Sequence, residues 1–450
     1  MQLFSLGLSN RQLRRKMKPL VENLEGRQLL YSTTGNHFSN GTNMTISFVP
    51  DGTNLGGATS NLVATFDKTY GAGVWEKTIL DAAAYWESVA NINFTSVSDN
   101  GAAIASGSYQ QGNPSFGDIR IGGFAQAASS LAYTIAPPPA NGDSSAGDIF
   151  FNTAAPIGGS GGYDLETLAI HEIGHALGLG HSADTSAAMY ATYRGTKASL
   201  ATDDIAGVQA VWGPRVNDSY TQNYNNTTFA NAADISSQVN AYMQIGVGNL
   251  NVAKPSTAYF FKITTPANAS NQFAAIVQSN GWSLLAPQVQ IYSASKQLLA
   301  QNVGNPYAYG DTMGVQINNA TPNTTYIVRV LGNTNGPNAI GAYGLLINVG
   351  NYAPGPVNPP PARMIPNAPS QGGGTVALSA ARNQRNSVVD PDDFTQVGTL
   401  QSSGDRFTTG TGTGTHRSAH PARVQVNHSH PTHRVFAKRT AKAAPQTASA

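Results

Sequence analysis

Three of the nine histidines in the chain sit in one stretch, His171-Glu-Ile-Gly-His-Ala-Leu-Gly-Leu-Gly-His181, and none lies between His37 and His171. His171 and His175 are four residues apart. On an α-helix that spacing stacks two imidazoles on one face, near enough to bind one ion. Gly178 can adopt the left-handed conformation that ends a helix and turns the chain, so His181 can return as a third ligand. Three imidazoles leave one tetrahedral position for water, the arrangement of a catalytic rather than a structural zinc. Glu172 follows the first ligand and can take a proton from that water, then pass it to a leaving amine. The competing reading is a helix with incidental histidines; five fixed positions, HExxHxxGxxH, weigh against it.

HExxHxxGxxH followed by Met189 resembles the metzincin clan of zinc peptidases. Ser182, the run Ala188-Met189-Tyr190, Tyr193, and Asp203-Asp204-Ile205 with Gly207 and Gln209 resemble its matrixin branch, the peptidase M10 type. The resemblance implies a zinc metalloendopeptidase of EC 3.4.24 type, with His171, His175 and His181 as ligands, Glu172 as catalytic residue and Met189 on a turn that floors the site. It also implies that Leu131-Ala132 lies on an edge strand over the cleft, where an extended peptide adds by main-chain hydrogen bonds, and that Tyr193 touches substrate. Ala191 departs from the Pro that matrixins carry after Met-Tyr. Tyr133 and Phe150 replace two imidazoles of the second, structural zinc of matrixins, so one zinc ion is expected. Asp148 and Asn152 could bind calcium through oxygen, with a loop cap as the competing role.

The elements that must position these residues read as one α/β domain over 36–214: a twisted, mainly parallel five-stranded sheet with three helices. Strands are expected at Met44–Val49, Asn91–Val97, Gly117–Ile121, Leu131–Thr134 and Gly147–Phe151. Trp75, Ile79, Ala82, Trp86 and Val89 recur at helical spacing. Asp164 and Gly178 bound the histidine-bearing helix. Thr202 caps a last helix that stops at Gly213-Pro214; Asp203 and Asp204 either compensate its dipole or tie down structure near the site.

From 215 to 352 short alternating runs, Tyr259–Thr264, Phe273–Gln278, Val289–Tyr292, Tyr326–Val330 and Tyr343–Ile347, alternate with Asn/Gly/Pro turns and read as an all-β sandwich. Thr228–Ala233, Thr257–Ile263, Asn323–Val330 and the closing Gly341-Ala-Tyr-Gly-Leu resemble the bacterial pre-peptidase C-terminal domain. Residues 353–450 read as a disordered basic tail rich in Pro, Gly and Ser. Residues 1–35 read as an export or pro segment; Val21–Leu30 resembles a short motif near the start of bacterial exported proteins, against a bland amphipathic segment.

The chain has 450 residues, net charge +2, 11% charged residues and no cysteine. Disulfides, a thiol nucleophile and a cysteine-based latency switch are therefore excluded. The charge implies no nucleic-acid partner, and no apolar run approaches the ~20 residues of a membrane span. The expected protein is secreted or on the cell surface and acts on protein or peptide substrates. Contact with a cell surface or polymer through the C-terminal regions is set against core packing and a solvated tail. A non-catalytic surface or adhesion protein on the same scaffold is the alternative, and a hydrolase of cell-wall peptides a third.

Overall fold

The computed structural model describes residues 30–159, 161–305, 309–333 and 336–350. The expected export motif up to residue 29 and the expected tail from 353 lie outside the described residues.

The chain enters as a short strand, β1 (Ser32–Thr33), followed by β2 (Met44–Phe48). Next comes α1 (Leu62–Tyr70), a helix not among the expected elements; Leu62 and Phe66 are its only buried residues, too thin a stripe to declare a helical period. In α2 (Val74–Val89), Trp75, Ile79, Ala82 and Trp86 all turn inward. Four strands follow, β3 (Phe94–Ser96), β4 (Ile119–Phe124), β5 (Ala132–Thr134) and β6 (Ile149–Asn152). They form a mixed five-stranded sheet with β2, in the order β3-β2-β4-β6-β5. Only the edge strand β5 runs antiparallel to its neighbour. After the sheet come α3 (Leu165–Ala176), β7 (Leu179–Gly180) and α4 (Thr202–Trp212). The domain therefore carries four helices where three were expected.

α2 and α3 are held together from inside the core. The buried Trp86 ring donates through Nε1 to the Ile170 carbonyl at 3.0 Å. Trp75 donates to Asp67 at 2.8 Å, so neither indole N–H is left orphaned in apolar surroundings. β1 pairs antiparallel with β7, Ser32 opposite Gly180. The backbone from Leu30 to Thr34 thus packs on this domain.

Beyond α4 the chain makes α5 (Ser219–Tyr224), β8 (Ala233–Asp234), β9 (Gln244–Val252), β10 (Tyr259–Thr264), β11 (Phe273–Gln278), β12 (Pro287–Ser293), β13 (Leu298–Asn302), β14 (Thr312–Ile317), β15 (Thr325–Gly332) and β16 (Gly341–Asn348). Two sheets result, β13-β12-β15-β10-β8 and β14-β11-β16-β9. One apolar cluster draws on both, including Phe261, Val289 and Val328 from the first and Phe273, Val277 and Leu345 from the second.

Arg215 clasps this part to the α/β domain. Its guanidinium donates to the carbonyls of Glu87 and Ile92, each at 2.9 Å, and to the side-chain oxygens of Asn93 and Asn251, each at 2.8 Å. A planar fork of five N–H donors suits such convergent acceptors.

Candidate metal centre

α3 starts on Asp164, whose carboxylate accepts from the Thr167 amide at 3.0 Å and the Thr167 hydroxyl at 2.7 Å. It ends at Ala176, and Gly178 takes φ +96. A Cβ on Gly178 would stand 2.1 Å from the Asn36 carbonyl oxygen, so conformation and close approach both require glycine. The turn delivers β7 and then His181, whose carbonyl accepts from the Ser32 hydroxyl at 2.8 Å.

The three imidazoles converge. His171 Nδ1 lies 2.8 Å from the Ala188 carbonyl, and His175 Nδ1 lies 2.9 Å from the Leu179 carbonyl. A carbonyl only accepts, so both rings carry hydrogen on Nδ1 and present the Nε2 lone pair inward. His171 Nε2 is 3.0 Å from His175 Nε2 and 3.3 Å from His181 Nε2. Lone pairs facing at that separation repel unless a cation sits among them. Tetrahedral zinc with bonds of ~2.0–2.1 Å sets its ligand nitrogens about 3.3–3.4 Å apart. Burial, then the neighbouring imidazoles, holds His171 well below the usual histidine range and lowers His181 to about 3. Neutral imidazoles bind metal without first losing a proton. The donor set fits a zinc ion, and it is the one such group of three or more His, Asp or Glu side chains among the described residues.

Glu172 is fully buried beside His171. Its Oε2 accepts from the Thr134 hydroxyl at 2.7 Å, which orients the carboxylate. Thr134 was absent from the expected site residues. It stands two positions after Ala132 on β5, hence on the same strand face; that alternation was the signal that could have found it.

Met189 lies under the helix. A Cβ on Gly174 would come within 2.3 Å of Met189 Sδ, so the glycine inside the motif makes room for the thioether. Asp204 fixes the turn by accepting from the amides of Ala188 at 2.8 Å and Met189 at 3.0 Å. The same carboxylate accepts from the Ala201 amide at 2.8 Å. The expected cap is thereby corrected: the N-cap is Ala201, and Thr202 is the first helical residue, because the Asp204 side chain reaches back where the threonine was assigned that task. Asp203 accepts from the Ser182 hydroxyl, directly after the third ligand, at 2.5 Å.

Leu131 and Ala132 are buried at the β5 edge of the sheet. The Tyr193 hydroxyl accepts from the Asp164 amide at 3.1 Å, and its ring meets Tyr163 edge-on, which ties it to the start of α3. Tyr133 and Phe150 pack together at 5.3 Å between centroids. The Asn152 side chain is spent: its oxygen accepts from Gln126 and Ala154, and its nitrogen donates to Ala127 and Ser130. It works as the loop cap. Asp148 Oδ1 accepts from the Arg120 amide at 2.9 Å, and burial raises its carboxyl well above the usual range.

Residues 61–213 match the matrixin family model. The chain is 36% identical over 144 residues to matrix metalloproteinase-20 of Homo sapiens, covering 31% of this chain and 28% of that protein. It is 47% identical over 73 residues to metalloendoproteinase 4-MMP of Arabidopsis thaliana, covering 16% and 21%. It is 36% identical over 145 residues to karilysin of Tannerella forsythia, covering 31% and 28%. The chain thus spans less than a third of the length of these curated relatives. Residues 61–213 are, on this match, a matrixin-type metallopeptidase domain.

Proposed function

We propose that the chain is a secreted, zinc-dependent endopeptidase. His171, His175 and His181 would hold one zinc ion through Nε2; when bound, the ion supplies Lewis acidity toward a peptide carbonyl and lowers the pKa of its water to about 7. Glu172 accepts a proton at its carboxylate and returns it to the leaving amine nitrogen. Thr134 holds that carboxylate in register from the neighbouring strand. The open edge of β5, with Leu131 and Ala132, offers main-chain groups to an extended peptide, a mode that accepts many sequences. Segment 190–200, with Ala191 and Tyr193, shapes the pocket beyond the cut. The observation that carries this reading is the pair of bonds from Nδ1 to backbone carbonyls, which fixes two tautomers and aims Nε2 inward.

The name matrix metalloproteinase speaks for protein substrates, and no described helix is long and apolar enough to cross a membrane. We assign the protein to the outside of the cell or to its surface on the likeness to matrixins alone. We read 215–352 as a pre-peptidase C-terminal-type domain. A library of random peptides incubated with the protein tests the whole: internal cleavage that stops with a chelator and returns with zinc is expected. Intact peptides under both conditions would leave a non-catalytic surface protein as the better reading, and cuts confined to cell-wall peptides would support the third.

A further inference from the structure

Between the α/β domain and the β-sandwich lies a cleft of about 230 Å³. Its lining is dominated by side-chain amides. Asn43, Asn91, Asn217 and Asn249 all border it, and none of these four side chains makes a hydrogen bond to a described residue. The floor is fixed by contrast. Asn93 and Asn251 each give their side-chain oxygen to Arg215. Asp218, the charged side chain in the lining, accepts from the amides of Thr221 and Asn251 at 2.9 and 2.8 Å.

One wall is the indole of Trp282, which is only 6% exposed and whose Nε1 is buried with no partner among the described residues. Gly248 leaves it space: a Cβ there would stand 2.7 Å from the ring. Beside that glycine a bulge in β9 interrupts its pairing with β16, and Asn249 takes φ +56. Bulges re-aim side chains in this way.

We propose that this cleft binds a neutral saccharide. Each free carboxamide offers two N–H donors and a carbonyl acceptor, which suits hydroxyls, since every hydroxyl both gives and accepts. Trp282 reaches the cleft only by an edge of its buried ring, so it gives the carboxamides a small apolar border and not a stacking face. The lining holds no cation and no uncommitted carboxylate, so it selects neither anions nor cations. The volume is below the ~300–1,000 Å³ of pockets for drug-sized ligands, and a ligand of one or two rings is the right scale. The site would tether the protein to a glycan or polysaccharide independently of the metal centre.

The test is isothermal titration of the full chain with glucose, galactose, N-acetylglucosamine and their β-linked dimers, with tetraglycine as the peptide arm. Binding of at least one saccharide near a Kd of ~1 mM is expected, weakened about tenfold or more in Asn91→Ala/Asn249→Gly. The glycine keeps the positive φ while deleting the amide. Glu172→Gln should bind the sugar as the parent does, which separates this site from the peptidase reading. If the double variant melts early, Asn217→Ala is read in its place. No saccharide bound up to about 50 mM, tetraglycine bound instead, or affinity kept in the folded variants would each overturn the proposal.

Discussion

The hydroxyl of Thr134 holds the Glu172 carboxylate at 2.7 Å, and on the proposed mechanism that fixes where it works. A hydrogen bond to a charged group is worth about 1.5–3 kcal/mol. Thr134→Val should therefore lower kcat about tenfold with KM and zinc content little changed, and Thr134→Ser should restore it; steady-state kinetics on a quenched peptide decide. Elsewhere, burial raises the Asp118 carboxyl to about 6 from an ordinary 3.8, although Thr45 and Gly112 donate to it. Between those values the folded chain holds a proton that the unfolded chain has released. Stability from this group is full below the unfolded pKa and declines as pH rises to about 6. Denaturant melts from about pH 4 to pH 6 should show a decline, and Asp118→Asn should make it shallower, the raised Asp148 and Glu87 carboxyls supplying the rest.

At the scale of elements, the turn under the metal centre depends on one carboxylate. Asp204→Ala leaves the amides of Ala188, Met189 and Ala201 without their acceptor. A loss of about 3 kcal/mol is expected, read by chemical denaturation, together with weaker zinc retention in a chelator competition. The histidine-bearing helix was legible because spacing by four, an Asp cap and a terminal glycine are local rules. β10 and β11 were equally plain as short apolar runs closed by polar residues, with burial alternating along β11 and not along β10. β9 was missed for a physical reason: its buried residues run Ile245, Val247, then Leu250 and Val252, and the bulge at Gly248-Asn249 breaks the period of two. β13 was missed because Leu298 and Leu299 are both exposed on an edge strand. The bonds from Thr134 to Glu172 and from Ser182 to Asp203 join residues 38 and 21 positions apart, which no local pattern encodes.

Taken as a whole, the described chain has two main apolar clusters, and the seam between them is partly apolar, since Leu284 from the sandwich side is buried in the α/β cluster. Arg215 gives that seam its fixed geometry by satisfying four acceptors at once. Arg215→Ala should cost about 2–3 kcal/mol and uncouple the halves. Calorimetry should then show two thermal transitions where the parent shows one; a single transition at the parental temperature would mean that the seam is held by other contacts. The most direct measurement on the whole molecule compares the parent and Glu172→Gln at matched zinc content on a casein or quenched-peptide substrate. The expected result is one zinc per chain and an unchanged melt in both, with kcat/KM lowered about a thousandfold or more in the variant. Equal cleavage by the two proteins, or a parent that cleaves fully after its zinc is removed, would contradict a metal-assisted peptidase built on these three histidines.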